Sequence, residues 1–229
     1  MYKKFTQYAV SACLALILMH GATKAGTSSL RITDTSLVKY TIPAVPTDIS
    51  PLLIGESIPS VVIPDAGGKS YNLNNSVSKK PTILVFYRGG WCPFCNKELA
   101  GLQAIQGDLV NMGYQLIAIS TDSPENLSKT IGKHQLNYTL LSDADLRVSK
   151  QFGIAFKAPA AYSNTLLQGS AGKNAEKLLP VPSVFILNKS GVIQFEYINP
   201  DFKQRIGPDL LKAVAGAIAN ENSTRENAK

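Results

Sequence analysis

The chain has 229 residues, of which 45% are hydrophobic, 17% are charged and 8% are aromatic. This is the composition of a globular protein with one sizeable core, and it excludes disordered, collagen-like and coiled-coil proteins. The formal net charge is +7. Lys3, Lys4 and Lys24 lie in the first 25 residues, which contain no acidic residue, so the rest of the chain has a net charge of +4. Because these charges are scattered and form no basic stripe, we expect no nucleic-acid partner.

The N-terminus has the pattern of a secretory signal peptide, predicted over residues 1–25. A basic start precedes an apolar stretch from Ala9 to Met19, and small residues follow as far as Ala25. The apolar stretch is shorter than the roughly 20 residues that a membrane-spanning helix needs. We therefore expect export, to the periplasm, with membrane anchoring through an uncleaved segment as the alternative. The mature chain then keeps two cysteines, Cys92 and Cys95.

The rest of the chain is predicted to form one domain with short extensions. Residues 26–51 are rich in Ser, Thr and Pro and are predicted to be an extended leader. The domain is expected over residues 52–220, followed by a loose polar tail over 221–229. Two short strands, 60–63 and 71–73, are predicted to flank a turn at its start.

Strand and helix patterns then alternate, which indicates an α/β domain with a sheet covered on both faces. The run TILVFY at 82–87 is apolar throughout, as expected of a central strand buried on both faces. After an irregular stretch at 157–179, a strand hairpin and a closing helix at 202–219 complete the domain. The other predicted strands lie at 116–119, 138–141, 183–187 and 192–197, and the other helices lie at 93–112, 124–134 and 145–152.

The most informative stretch is Trp91-Cys92-Pro93-Phe94-Cys95, at the junction between the central strand and a helix. Cys92 is predicted at the N-cap, exposed at the tip of the helix, where the helix dipole and free amide groups favour its thiolate. Cys95 is expected one turn later, facing inward, close enough to form a disulfide with Cys92.

Other uses of this dithiol fit the sequence poorly. A zinc site needs two more ligands, and haem attachment needs a histidine where this chain has Asn96. A structural disulfide closing so small a loop stabilises by only about 2 kcal/mol. We therefore predict a redox dithiol that binds no metal and needs no cofactor.

The strand, the CPFC pair and the later Val181-Pro182 resemble the thioredoxin superfamily, a fold with a central mixed sheet and helices on both faces. The segments LIGESIP at 53–59 and NPDF at 199–202 most resemble the AhpC/TSA (alkyl hydroperoxide reductase and thiol-specific antioxidant) branch. This resemblance implies that Pro182 matches a cis-proline facing the dithiol and that the backbone of Val181 receives substrate. Trp91 and Pro93 would then wall the substrate site.

The sequence departs from the peroxiredoxin pattern at two positions. Aligning Thr-x-x-Cys puts Cys92 on the threonine and Cys95 on the peroxide-attacking cysteine, so the two thiols could exchange roles. Pro182 stands where peroxiredoxins carry a peroxide-polarising arginine, and Arg88 is the candidate substitute. Glu98 matches an acid of the family and could relay protons, although a solvated first-turn acid fits the sequence equally.

The resemblance leads us to expect an antioxidant peroxidase working through a Cys92/Cys95 dithiol-disulfide cycle. Its partners would be a peroxide and a thiol electron donor, either a thioredoxin-like protein or a small thiol. The first alternative is an extracytoplasmic dithiol-disulfide oxidoreductase acting on an oxidised protein. The second is a non-catalytic binding module on the same fold.

Overall fold

The structure is a computed structural model and describes residues 41–227. Its central strand, β3 (Thr82–Tyr87), is the predicted TILVFY run, and every residue of it is buried. Alternate side chains of β3 enter two separate cores, with Ile83 and Val85 on one face and Leu84 and Phe86 on the other. This placement on both faces explains why the run is apolar without alternation.

The sheet is mixed, as predicted, with strands in the order β5-β4-β3-β8-β9. β3, β4 and β5 run parallel, whereas β8 pairs antiparallel with β3 and with β9. The four strands around β3 are β4 (Gln115–Ser120), β5 (Thr139–Ser142), β8 (Ser183–Leu187) and β9 (Ile193–Ile198). Short antiparallel pairs are formed by β1 (Val62–Pro64) with β2 (Ser70–Asn72) and by β6 (Ala155–Lys157) with β7 (Leu178–Pro180).

Helices cover both faces of the sheet. The first core packs the sheet against the long helix that carries the dithiol and against the C-terminal helix, and the second core packs it against two short helices. The helices are α1 (Leu73–Val77), α2 (Pro93–Asn111), α3 (Pro124–His134), α4 (Arg147–Gln151), α5 (Ser163–Gly169) and α6 (Pro208–Asn227). In the part of the chain that the structure describes, no helix has the length and apolar character to cross a membrane.

The closing helix differs from its predicted bounds of 202–219. It begins at Pro208, because proline favours the first helical position and the preceding segment folds into turns capped by Asn199 and Asp201. It also continues to Asn227, through most of the segment predicted as a loose tail. Two hydrogen bonds between the side chains of Gln194 and Asn222, of 3.0 and 3.1 Å, tie this end to β9.

The stretch 157–179, predicted to be irregular, contains α5 and pairs β7 with β6. The Asn174 side chain stabilises this stretch by donating to the carbonyl of Leu178 and accepting from the Leu178 amide. Hydrogen bonds of this kind leave no periodic pattern in the sequence. The end of the predicted leader is tied to the domain, since the amides of Ser50 and Leu52 donate to the carbonyls of Gly153 and Phe152. The predicted signal peptide lies outside the described residues.

Candidate active site

The dithiol lies where the central strand β3 turns into α2. The turn brings its backbone against Trp91 and Asp122: Gly89 has φ +152°, and a Cβ there would lie 2.3 Å from Trp91 Nε1. The amide of Gly90 donates to Asp122 Oδ2 at 2.7 Å, which fixes the turn. A larger residue than glycine at position 89 would therefore displace the approach to α2.

Cys92 is the N-cap of α2 and Pro93 its first residue, as predicted. The predicted inward position of Cys95 is also found, with 0% of the residue exposed. The expected exposure of Cys92 at the tip of the helix is wrong, since only 1% of this residue is accessible. Cys92 belongs to the core that packs the sheet against α2 and α6, and an N-cap position alone does not reveal this burial.

The two thiols have opposite pKa shifts. The pKa of Cys92 falls to about 6, mainly because its sulfur accepts a hydrogen bond from the Cys95 thiol, with help from the Cys95 amide and the charges of Arg88 and Arg205. The pKa of Cys95 rises, chiefly through burial and also through its hydrogen bond to Cys92, and the Arg205 charge only partly opposes this. The pair therefore holds its negative charge on Cys92 and its proton on Cys95 near neutral pH.

A buried ion pair supports the dithiol from behind. Arg205 Nη1 donates to Glu98 Oε2 at 2.5 Å, and Arg205 Nη2 donates to Cys95 Sγ at 3.4 Å. Glu98 is only 9% exposed, so its interpretation as a solvated first-turn acid is wrong. Burial raises the pKa of Glu98 to about 7 despite the opposing Arg205 charge, so this carboxyl exchanges a proton near neutral pH.

Arg205 was missed by the sequence analysis. It precedes α6 in a segment predicted to be helical, where a lone arginine resembles any solvated surface charge. Only the fold brings Arg205 to α2, because 110 positions of sequence separate it from Cys95. Arg205 supplies a guanidinium beside the dithiol, a role for which the sequence analysis had named Arg88.

Arg88 is close to the dithiol, and its side chain packs among three aromatic rings. Its guanidinium carbon lies 4.9 Å from the centroid of the Trp91 ring, 4.5 Å from that of Tyr162 and 4.2 Å from that of Phe202. Its charge lowers the pKa of Cys92, and its backbone hydrogen-bonds to Cys95, which lowers the pKa of that thiol against the larger effect of burial. Arg88 therefore acts on Cys92 through its electrostatic field.

The predicted substrate-binding residues differ in their availability. Pro93 is exposed at the start of α2, and Trp91 is half-buried against Tyr162 and Arg88. The backbone of Val181 is already occupied: its amide donates to the Ile154 carbonyl at 2.8 Å, and its carbonyl accepts from Ser183 Oγ at 2.8 Å. Val181 thus offers no free amide to an extended peptide, although its carbonyl can accept a second hydrogen bond, while Pro182 lines an adjacent pocket.

Comparisons with known proteins identify the family. The model of the AhpC/TSA family matches residues 54–196, which is more than half of the chain. The chain belongs to the AhpC/TSA family. It is 36% identical to peroxiredoxin Bcp of Escherichia coli K12 over 106 residues, which are 46% of this chain and 67% of that protein. It is 28% identical over 172 residues to chloroplastic peroxiredoxin Q of Populus jackii, covering 75% of this chain and 70% of that protein.

Solved structures support the fold of this AhpC/TSA protein. Peroxidoxin BcpB of Mycobacterium tuberculosis superposes with a TM-score of 0.58 at 22% identity, over 73% of this chain and 96% of that one. Peroxiredoxin Q of Xanthomonas campestris gives a TM-score of 0.56 at 18% identity, over 69% of this chain and 91% of that one. The predicted thioredoxin-like fold is thereby confirmed. With its family membership, the chain is a thiol-dependent peroxidase.

Proposed function

We propose that Cys92 and Cys95 reduce small peroxides in a two-step dithiol-disulfide cycle. The burial of both residues, at 1% and 0% exposed, is the observation that carries the proposal. A small peroxide can reach buried thiols through fluctuations of the surrounding side chains, whereas a folded protein disulfide cannot. The occupied amide of Val181 further disfavours protein-disulfide exchange.

The first step is attack by the Cys92 thiolate on a peroxide oxygen. The O–O bond breaks, Cys92 becomes a sulfenic acid, and the leaving alkoxide or hydroxide takes up a proton to depart as an alcohol or water. Glu98, with a pKa of about 7, is a buried proton source for this step. Arg205, hydrogen-bonded to Glu98, offsets the charge that develops.

The second step forms the disulfide. The Cys95 sulfur attacks the sulfur of the sulfenic acid, an S–S bond forms, and hydroxide leaves with the Cys95 proton as water. The peroxide has then gained two electrons and the dithiol has lost two. A thiol donor restores the dithiol by exchange. A small thiol can enter as the peroxide does, while a thioredoxin-like protein must displace the turn at Trp91 to reach Cys92.

The low pKa of Cys92 favours it as the attacking residue. The contact between Arg205 and Cys95 favours the exchanged assignment, in which Cys95 attacks from the position that the Thr-x-x-Cys alignment gives it. We assign attack to Cys92, because at neutral pH a thiolate is available there and a thiol at Cys95. Peptide mapping of Cys92→Ser and Cys95→Ser after treatment with hydrogen peroxide separates the two assignments.

Turnover by the purified domain tests the proposed activity. We expect catalytic consumption of hydrogen peroxide with a small thiol as donor, and little reduction of insulin disulfides. Rapid insulin reduction without peroxide turnover would favour dithiol-disulfide exchange. The binding-module alternative predicts neither activity, with partner binding unaffected by alkylation of the dithiol.

We also propose that the protein works outside the cytoplasm, in the periplasm. The support is the signal-peptide pattern of residues 1–25, with an uncleaved membrane anchor as the alternative. Fractionation of cells expressing the full chain, with the N-terminus of the recovered protein sequenced, tests both. An N-terminus at Gly26 in the periplasmic fraction is the expected result, and full-length protein in the cytosol would refute export.

A further inference from the structure

A turn with two consecutive glycines connects β3 to the dithiol helix. Gly89 and Gly90 can adopt more backbone conformations than other residues, so the sequence of the turn does not fix its shape. The ladder between β3 and β4 ends at the pair Tyr87 and Ser120, before the turn begins. Contacts outside this ladder therefore determine where the turn lies.

Two consecutive side chains that follow β4 hold the turn. Thr121 Oγ1 donates to the carbonyl of Arg88 at 2.9 Å, and Asp122 Oδ2 accepts from the amide of Gly90 at 2.7 Å. From the helix side, Asn96 Nδ2 donates to the Gly90 carbonyl at 2.9 Å. Thr121 and Asp122 are both buried, so water does not compete for their hydrogen bonds.

The segment that carries these two side chains is itself fixed. Ser142 Oγ, at the end of β5, donates to the carbonyl of Asp122 at 2.6 Å. The Asp122 amide donates to Ser120 Oγ, and this hydroxyl donates to Asp122 Oδ2, both at 3.2 Å. The position of the turn is thus set by the carboxyl ends of two neighbouring strands.

The turn in its turn places Arg88 against the dithiol. The backbone of Arg88 hydrogen-bonds to Cys95, and its guanidinium acts on Cys92 through its charge. Cys95 also faces the Cys92 thiol and the guanidinium of Arg205, which arrives from the segment before α6. A hydrogen bond to the thiolate stabilises that form, so the Arg88 amide favours the reactive state of the buried Cys95.

We propose that Thr121 and Asp122 are positioning residues for the dithiol. By holding the Arg88 carbonyl and the Gly90 amide, they keep the backbone of Arg88 on Cys95 and so accelerate the attack of Cys95 on the Cys92 sulfenic acid. They act through the backbone of the turn. The effect on this attack rests on the proposed function, whereas the placement of Arg88 does not.

The placement can be tested without peroxide. In full-length Cys92→Ser labelled with ¹³C at the cysteine β-carbons, the chemical shift of Cys95 Cβ reports its titration midpoint, and its signal is assigned by its loss in the double variant with Cys95→Ser. Thr121→Val, which removes the hydroxyl, should raise this midpoint by at least about half a pH unit, because the Arg88 amide moves off the sulfur. Thr121→Ser, which keeps the hydroxyl, should restore the midpoint.

Variants of Asp122 separate the acceptor oxygen from the charge. Asp122→Asn retains an oxygen for the Gly90 amide and should leave the Cys95 midpoint unchanged, whereas Asp122→Ala should raise it as Thr121→Val does. Thr82→Val is the matched control, since it removes a buried hydroxyl at the opposite end of β3. It should lower the free energy of unfolding in urea without moving the midpoint.

The kinetic effect is measured in the protein that keeps both thiols. A rise of half a pH unit lowers the thiolate fraction of Cys95 about threefold, so Thr121→Val should form the disulfide about twofold to threefold more slowly. Dimedone added with one equivalent of hydrogen peroxide should then trap more sulfenic acid on Cys92 than in wild-type protein or in Thr82→Val.

Four results would overturn the proposal. An unchanged Cys95 midpoint in Thr121→Val or in Asp122→Ala would show that these side chains do not place Arg88. An equal shift in Thr82→Val would assign the effect to general destabilisation, and an unchanged yield of trapped sulfenic acid would remove the role in the second step. Wild-type protein that forms no disulfide with peroxide would refute the proposed function and that kinetic role, while the titration would still decide the placement of Arg88.

Discussion

Nη2 of Arg205 lies 3.4 Å from Sγ of Cys95, although 110 positions separate the two residues in sequence. The same guanidinium bonds to Glu98, one turn along α2 from Cys95. The dithiol is thus backed by a buried ion pair that belongs to two distant segments. The proposed chemistry depends on this pair for positive charge and for a proton.

Replacement of Arg205 tests that dependence. Arg205→Gln removes the charge beside Cys95 and leaves Glu98 buried without a cation. A hydrogen bond to a charged group contributes about 1.5–3 kcal/mol, so we expect kcat/KM for hydrogen peroxide to fall about tenfold to a hundredfold. Steady-state peroxide consumption measures the effect. Lys203→Gln, which removes an exposed charge two residues away, serves as the control, and an equal loss in both variants would assign the effect to net charge.

The pH dependence of alkylation tests the charge distribution in the dithiol. Because the pKa of Cys92 is lowered to about 6, its thiolate is present above that pH and lost as the pH falls through it. The rate of iodoacetamide reaction at Cys92, located by peptide mapping, should rise through a midpoint near pH 6. Cys95 should react only in more alkaline solution, because its pKa is raised. A midpoint for Cys92 in the ordinary alkaline range of a free thiol would refute the assignment.

Glu98 should make the stability of the fold depend on pH. Its pKa in the folded state is about 7, above the ordinary value of 4.5, so the folded state binds the proton more tightly. The contribution of Glu98 to the free energy of unfolding is therefore full below pH 4.5 and is lost as the pH rises through 7. Glu98→Gln should remove this decline, on the order of a few kcal/mol, in urea unfolding at a series of pH values. Glu125→Gln, at an exposed position, should retain the wild-type slope.

Gly153 should be sensitive to a single added methyl group. It has φ +67°, and a Cβ there would lie 1.9 Å from the carbonyl oxygen of Ser50. Gly153→Ala should cost at least about 2 kcal/mol, from backbone strain and from displacement of the segment at Ser50. Gly172→Ala, with φ +81° and open space around the glycine, isolates the strain alone and should cost about 1 kcal/mol. Equal losses in denaturant unfolding would mean that the Ser50 contact adds nothing.

The sequence predicted the parts of this molecule that short-range patterns determine. The TILVFY run identified β3, and Cys92 and Pro93 marked the start of the dithiol helix, because burial on both faces and helix capping leave local signals. The covering of Cys92 and the arrival of Arg205 depend on packing between distant segments. No periodicity or spacing near residue 205 encodes that contact. The start of α6 was also not predicted, because turn-forming side chains before Pro208 keep residues 202–207 out of the helix.

The disulfide predicted between Cys92 and Cys95 carries the central claim, and peptide mapping after one equivalent of hydrogen peroxide tests it most directly. Wild-type protein should yield a single peptide in which Cys92 and Cys95 are joined and two hydrogens are lost. Cys95→Ser should stop at a sulfenic acid on Cys92, trapped by dimedone, and Cys92→Ser should react far more slowly. A sulfenic acid on Cys95 in Cys92→Ser, formed at the wild-type rate, would contradict the assignment of attack to Cys92. Wild-type protein oxidised without a Cys92–Cys95 bond would contradict the cycle itself.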